Sequence, residues 1–175
     1  MSTASASPHH PLLSGPFPVF LPPGVEVVCI PLAEKEIVYA LNLEIFQERR
    51  IMNSFDRDDV FMLIARINGV PAGFKVGYRE SQTTFYSAKG GVLDTYRGRG
   101  LARFMLHAMI NRCFHAGYRR YVFDTFPNRN PGMSILALRE SFRLIRADFN
   151  AVYKDYRLRF EMRLSDLSDE PPHQR

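Results

Sequence analysis

The spacing of apolar residues divides the chain into alternating elements. "VEVVCI" (25–30) is a β-branched run and predicts a strand. "LAEKEIVYALNLEIFQERR" follows, with Ile37, Ala40, Leu41 and Ile45 at helical spacing. "VFMLIARI" (60–67) reads as a buried strand, and Asn68-Gly69 supplies the two positive-φ residues of a tight hairpin turn. "VPAGFKVGYRE" (70–80) is the return strand, with Pro71 near its start as an edge-type position. "TTFYSAKGGVL" (83–93) predicts a third antiparallel strand; Gly90-Gly91 within it predicts a bulge or the close approach of another backbone. Leu101, Phe104, Met105, Ala108 and Ala116 mark one face of a second helix, ended by Gly117. "RYVFDTF" (120–126) predicts a strand and "MSILALRES" (133–141) a short helix. "FRLIRADFNAVY" and "YRLRFEMRL" predict a closing antiparallel pair. The expected fold is α/β of the α+β type: a mixed, mostly antiparallel central sheet of about seven strands, with helices on both faces.

The ends break this pattern. Residues 1–24 are rich in Ser, Pro and His and predict a flexible segment, with Phe17–Leu21 lying on the domain. Residues 25–164 form one domain, and 165–175 predict a disordered tail. His9-His10 lies in the Pro/Ser-rich segment and reads as solvated, not as a metal pair. The N-terminus has neither a basic region nor a continuous apolar core of a signal peptide. No apolar run approaches the roughly 18 residues that span a bilayer. A cytoplasmic protein with no membrane partner is the expectation. Cys29 and Cys113 have no metal-ligand spacing and predict buried free thiols in a reducing compartment; no metal is expected.

Composition changes this picture in one respect. Of 175 residues, 46% are hydrophobic, enough for a single core, and the net charge is +5. The positive charge is concentrated. Between Arg97 and Arg120 stand arginines 97, 99, 103, 112, 119 and 120, with no carboxylate among them. They surround "DTYRGRGLAR", two glycines alternating with arginines just before a helix. A helix N-terminus offers unpaired N–H groups and partial positive charge. Gly98 and Gly100 remove Cβ atoms that would hold a phosphate away, and Arg97 and Arg99 add countercharge.

The owner of that phosphate is narrowed by spacing. There is no G-x-x-x-x-G-K-[ST] run, which excludes the common triphosphate loop. A dinucleotide fingerprint would need a third glycine where Arg103 stands, and a first-strand position that three preceding antiparallel strands deny it. A nucleic-acid groove would use the arginines with exposed aromatics, but the apolar face of this helix is a core face, so no nucleic-acid partner is expected.

"RGRGLA" fits R-x-x-G-x-G/A, with Arg97, Gly100 and Ala102 at the defining positions. The stretch "GGVLDTYRGRGLARFMLHAMINRCFHAGYRRYVFDT" resembles the GCN5-related N-acetyltransferase superfamily along its whole length, and the resemblance extends over about residues 25–164. It implies the acyl-CoA N-acyltransferase fold, acetyl-CoA as co-substrate, and an amine acceptor attacking the thioester directly in a ternary complex. The acceptor could be a small molecule or a peptide, and the protein a monomer or homodimer. The resemblance further implies a pyrophosphate site at Arg97, Gly98, Arg99, Gly100, Leu101 and Ala102. It places the pantetheine arm beside the backbone of Gly91, Val92 and Leu93, where one N–H would stabilise the oxyanion.

Asn130 or Asn128 is implied as a ligand of the pantetheine amide, and Phe142 matches a family phenylalanine, with Ser141 in place of the usual glycine. Two departures stand out. Ala137 occupies the position of the tyrosine that many members use as general acid, and Tyr86 falls near the glutamate that some branches use as base. Glu44, Glu48 and Asp124 remain as candidate bases, and Tyr86 as a hydrogen-bonding member of the site. His107 and His115 read as helix-face residues. Those departures leave a non-catalytic acyl-CoA-binding module as the alternative reading, with a nucleic-acid-binding protein, through the arginine-rich helix, ranked behind it.

Overall fold

The structure is a computed structural model in which residues 11–167 are described. In chain order it forms β1 (Val25–Ile30), α1 (Lys35–Phe46), β2 (Phe61–Ile67), β3 (Val70–Ser81), β4 (Thr84–Val92), α2 (Leu101–His115), β5 (Arg120–Thr125), α3 (Pro131–Arg139), β6 (Arg143–Asn150) and β7 (Asp155–Arg163). The seven strands make one sheet in the order β1-β2-β3-β4-β5-β7-β6. Every neighbouring pair is antiparallel except β4–β5, which runs parallel because α2 returns the chain to the same end.

The two faces carry separate cores. On one, α2 lays Leu101, Met105, Leu106, Met109 and Cys113 against Leu63, Phe85, Tyr121 and Phe160 of the sheet. On the other, Val38 and Leu41 of α1 pack with Ile64, Phe74 and Val76. The hairpin turn is as its sequence demands, with Asn68 at φ 50° and Gly69 at φ 81°.

Several expectations are corrected. Pro71 is not on an edge: β3 is central, and the proline is tolerated because the β2–β3 register shifts beside it, between Ala65 and Arg66. The β4 bulge lies at Ala88, not at the glycines, since Gly90 and Gly91 pair regularly with Lys75 and Phe74 while the register skips between Ser87 and Lys89. The glycine pair instead permits close packing. A Cβ on Gly91 would stand 3.0 Å from Ile45 and Phe46 of α1. Cys29 is exposed although it shares a face with buried Val27, because β1 is the edge strand; only Cys113 is buried.

The N-terminal segment is also more ordered than its composition predicts. Leu12 is fully buried in the α2 core. Asn111 of α2 donates to the carbonyls of Leu12 and Phe17 and accepts from the Phe17 N–H at 3.0 Å. His115 bonds the Ser14 carbonyl at 2.9 Å. At the other end, Leu164 is buried and Leu167 packs on the same core, so the fold continues three residues past 164. His9-His10 lies outside the described residues.

Candidate active site

The phosphate loop is built by two left-handed glycines. Gly98 adopts φ 75° and Gly100 φ 79°, a conformation that L side chains rarely adopt. Gly100 is the N-cap of α2 and offers no side-chain cap, so the first N–H groups of the helix stay open to a ligand. Nothing lies within 4 Å of where a Cβ on Gly98 would point. The loop arginines differ in commitment. Arg97 pairs with Asp94 at 2.9 Å and donates to the Val92 carbonyl at 3.3 Å. Arg103 is drawn to Glu140 at 2.5 Å. Arg99 stacks over Tyr96, 5.7 Å from the ring centre, with its charge otherwise uncompensated by any ion pair among the described residues.

Behind the loop, β4 and β5 separate. They pair only from Thr84↔Arg120 to Ser87↔Phe123; from Ala88 onward β4 keeps its β3 partner but has no partner on its other edge. Backbone groups along β4 alternate between those two edges. The Leu93 N–H bonds the Ala72 carbonyl, and the Gly91 carbonyl also faces β3, 2.8 Å from a Cβ built on Gly73. The backbones of Gly91 and Leu93 are therefore turned away from the opening. Val92 faces it, its carbonyl already bound by Arg97, and by alternation so does Gly90.

On the α1 side of this opening, the Tyr86 hydroxyl donates to Asp124 Oδ2 at 3.3 Å. Burial, then the Asp124 charge, drives the Tyr86 phenol far above its ordinary range, so it remains a donor. Asp124 Oδ1 is buried without a hydrogen bond; Arg159 stands 3.9 Å away, supplying charge but not a bond, while its guanidinium engages Glu80. Asp124 thus has one free acceptor at the point where the strands part. Next to Arg159, a cavity of about 310 Å³ is lined by Glu80, Thr84, Arg120, Val122, Ile145, Arg146 and Glu161.

The remaining candidates are placed as follows. Glu44 lines a second cavity with Leu93, Thr95 and Tyr96, beside the phosphate loop and apart from Tyr86 and Asp124. Glu48 is paired with Lys89 of β4, which also donates to the Arg50 carbonyl. Asn128 donates to Asp155 at 2.7 Å, whereas Asn130 caps α3 with an exposed side chain that makes no cap bond. Ala137 is fully buried, and Phe142 packs against Tyr121 and Phe123. Ser141 takes φ 63°, a left-handed conformation that glycine adopts more readily than serine. His107 contacts Glu140 at 2.5 Å, and burial lowers its pKa.

Sequence reasoning missed Lys75. It sits on β3 within "AGFKVG", is 6% exposed, and has no hydrogen bond or ion pair among the described residues. Burial lowers its pKa to about 8. A charged residue in an otherwise apolar central strand was the available signal.

The sequence profile of the Acetyltransferase (GNAT) family matches residues 32–135, more than half the chain. The chain belongs to this family. It is accordingly an acyl-CoA-dependent N-acetyltransferase, on the fold that its strand order defines. Among solved structures, a GNAT family acetyltransferase from Elizabethkingia anophelis with acetyl-CoA bound superposes with a TM-score of 0.70 at 16% identity, covering 81% of this chain and 99% of the other. The ribosomal-protein-S18-alanine N-acetyltransferase of Escherichia coli gives 0.69 at 11% identity over 86% and 99%. Arabidopsis thaliana NAA60 in complex with a bisubstrate analogue gives 0.62 at 20% identity over 79% and 97%. No curated protein sequence matches the chain significantly. No helix among the described residues is long and apolar enough to cross a membrane.

Proposed function

We propose that the chain moves an acetyl group from acetyl-CoA to a primary amine by direct attack in a ternary complex, at the point where β4 and β5 part. The observation that carries this reading is the free Asp124 Oδ1 at that point, held there with Tyr86. The pyrophosphate lies on the open N–H groups of α2, with Gly98 and Gly100 giving access and Arg99 the free countercharge. Leu101 and Ala102 supply helix N–H groups, and Arg97 fixes the loop. The pantetheine arm runs along the unpaired edge of β4, bonding Val92 and Gly90, with Asn130 on its far side. Because the bulge lies at Ala88, the donor to the oxyanion is assigned to the Ala88–Gly90 backbone.

In this reading the amine nitrogen forms a bond to the thioester carbonyl carbon. The carbon–sulfur bond breaks with its electron pair on sulfur, and Asp124 takes the amine proton, directly or through one water. Glu44 stands by the loop and is left out of this role. The cavity beside Arg159 carries acidic and basic side chains and the unpartnered buried Thr84 hydroxyl, which supports a polar acceptor, a small molecule or a peptide N-terminus. The name of the Escherichia coli neighbour, a ribosomal-protein-S18-alanine N-acetyltransferase, adds weight to the peptide. The two unpaired thiols fit a reducing, cytoplasmic setting. Thiol release from acetyl-CoA across an amine panel tests the proposal. Amine-dependent release that Asp124→Asn suppresses is expected; binding of CoA with no release for any amine would overturn it.

A further inference from the structure

On the opposite face of the same opening lies a polar group that the reaction as described does not use. Lys75 projects from β3 towards α2, and its stem passes directly beneath Gly90: a Cβ on that glycine would come within 3.3 Å of Lys75 Cγ. A four-carbon stem exceeds the strand spacing of about 4.8 Å, so it can carry the ammonium past β4 towards the edge that β5 has left unpaired. Close to it stands Cys113 of α2, near enough to couple electrostatically, and Cys113 in turn couples to the buried Tyr121 of β5. Burial drives both the Cys113 thiol and the Tyr121 phenol well above their ordinary values, so neither supplies a negative charge at neutral pH. Among the described residues no carboxylate pairs with Lys75.

An unpaired ammonium in a core is costly and calls for a partner. The leaving sulfur supplies one. The fold has no phenol at Ala137 to protonate the thiolate, since that position is closed within the core.

We propose that Lys75 is the proton donor to the CoA thiolate, reaching the sulfur from beneath β4 through the space that Gly90 leaves open. This rests on the acetyltransferase reading above. As the carbon–sulfur bond breaks, its electron pair goes to sulfur. A Lys75 Nζ–H bond then breaks and a sulfur–hydrogen bond forms, leaving free CoA thiol and a neutral lysine that regains its proton from water. With a pKa of about 8 the lysine is charged at neutral pH and is matched to a thiol near ~8.5, a good donor for that acceptor.

The test needs no identified acceptor. CoA and desulfo-CoA are bound to the full-length protein and to Lys75→Met, with calorimetry for affinity and ultraviolet thiolate absorbance for ionisation of the bound thiol. In the native protein the bound thiol should titrate together with Lys75, in two steps displaced from the single step of free CoA near ~8.5. Lys75→Met should restore a single step while leaving desulfo-CoA affinity within about threefold, the span expected of a contact made to sulfur alone. Melting curves, with Lys75→Leu as a second variant, verify the fold. Equal thiol ionisation in both proteins, or a parallel loss of CoA and desulfo-CoA affinity, would overturn the role of Lys75 and leave the acetyltransferase reading intact. Failure of the native protein to bind CoA would overturn both.

Discussion

The two faces of the sheet at the β4–β5 opening solve opposite problems. On the α1 side, charge is plentiful and paired: Tyr86 with Asp124, Arg159 with Glu80, Lys89 with Glu48. On the α2 side a single cation, Lys75, stands in an apolar core without an ion partner. One face offers a carboxylate oxygen with no hydrogen bond; the other holds a proton that its surroundings disfavour. The proposed mechanism uses both, one group to receive the amine proton and one to protonate the thiolate. The contrast teaches that the missing tyrosine and the missing strand glutamate need not mean a missing mechanism.

The largest effect should fall on neither face but on the loop they share. Gly100→Glu adds bulk, negative charge and left-handed strain at the proposed pyrophosphate site, and should weaken CoA binding by about a thousandfold in calorimetry. Unchanged affinity would remove the loop from the site and the comparison with it. Next, Lys75→Met should stabilise the protein at pH 7 by roughly 3 kcal/mol, the cost of holding the lysine's pKa near 8 instead of its ordinary value. In the native protein the unfolded chain binds more protons between about pH 8 and the ordinary lysine range, so stability should rise with pH across that window. Urea titrations at several pH values should show that rise in the native protein and its disappearance in the variant.

Asp124→Asn should lower kcat by about a hundredfold with CoA affinity unchanged, if the α1 face accepts the amine proton. A loss confined to KM would make Asp124 a binding group instead. Tyr86→Phe should be mildest, about tenfold in kcat, because it removes one hydrogen bond of 3.3 Å while leaving the carboxylate in place. A larger effect than that of Asp124→Asn would reverse their assigned order.

Much of the fold was legible because its signals are local. Asn68-Gly69, Gly98 and Gly100 each require positive φ, and the structure uses each that way. On α2 the periodicity marks the core face through Leu101, Met105 and Ala108, whereas on α1 the buried residues are Val38, Leu41 and Asn42 and the expected Ala40 is exposed. What stayed hidden depends on neighbours distant in sequence. The bulge at Ala88 is a property of the β3–β4 register, which residues 83–93 alone do not specify. The exposure of Cys29 follows from the edge position of β1 in the sheet, which the run of residues 25–30 does not reveal. Lys75 looked like any strand lysine until Gly90, fifteen positions on, was seen to lie over its stem. Of the candidate bases, spacing could not separate Glu44 from Asp124; the sheet does, by setting one beside the phosphate loop and the other at the opening.

Asn111 has a consequence for where this domain can be cut. Its side chain is fully buried and clasps backbone at Leu12 and Phe17, about a hundred residues away. The family match begins at residue 32, yet a protein trimmed to that point would leave this amide unsatisfied and uncover the flank of α2 that Leu12 closes. The smallest cooperative unit is thus larger than the segment that carries the family signature. A tag or fusion joined at residue 24 would act as a destabilising mutation, whatever its own sequence.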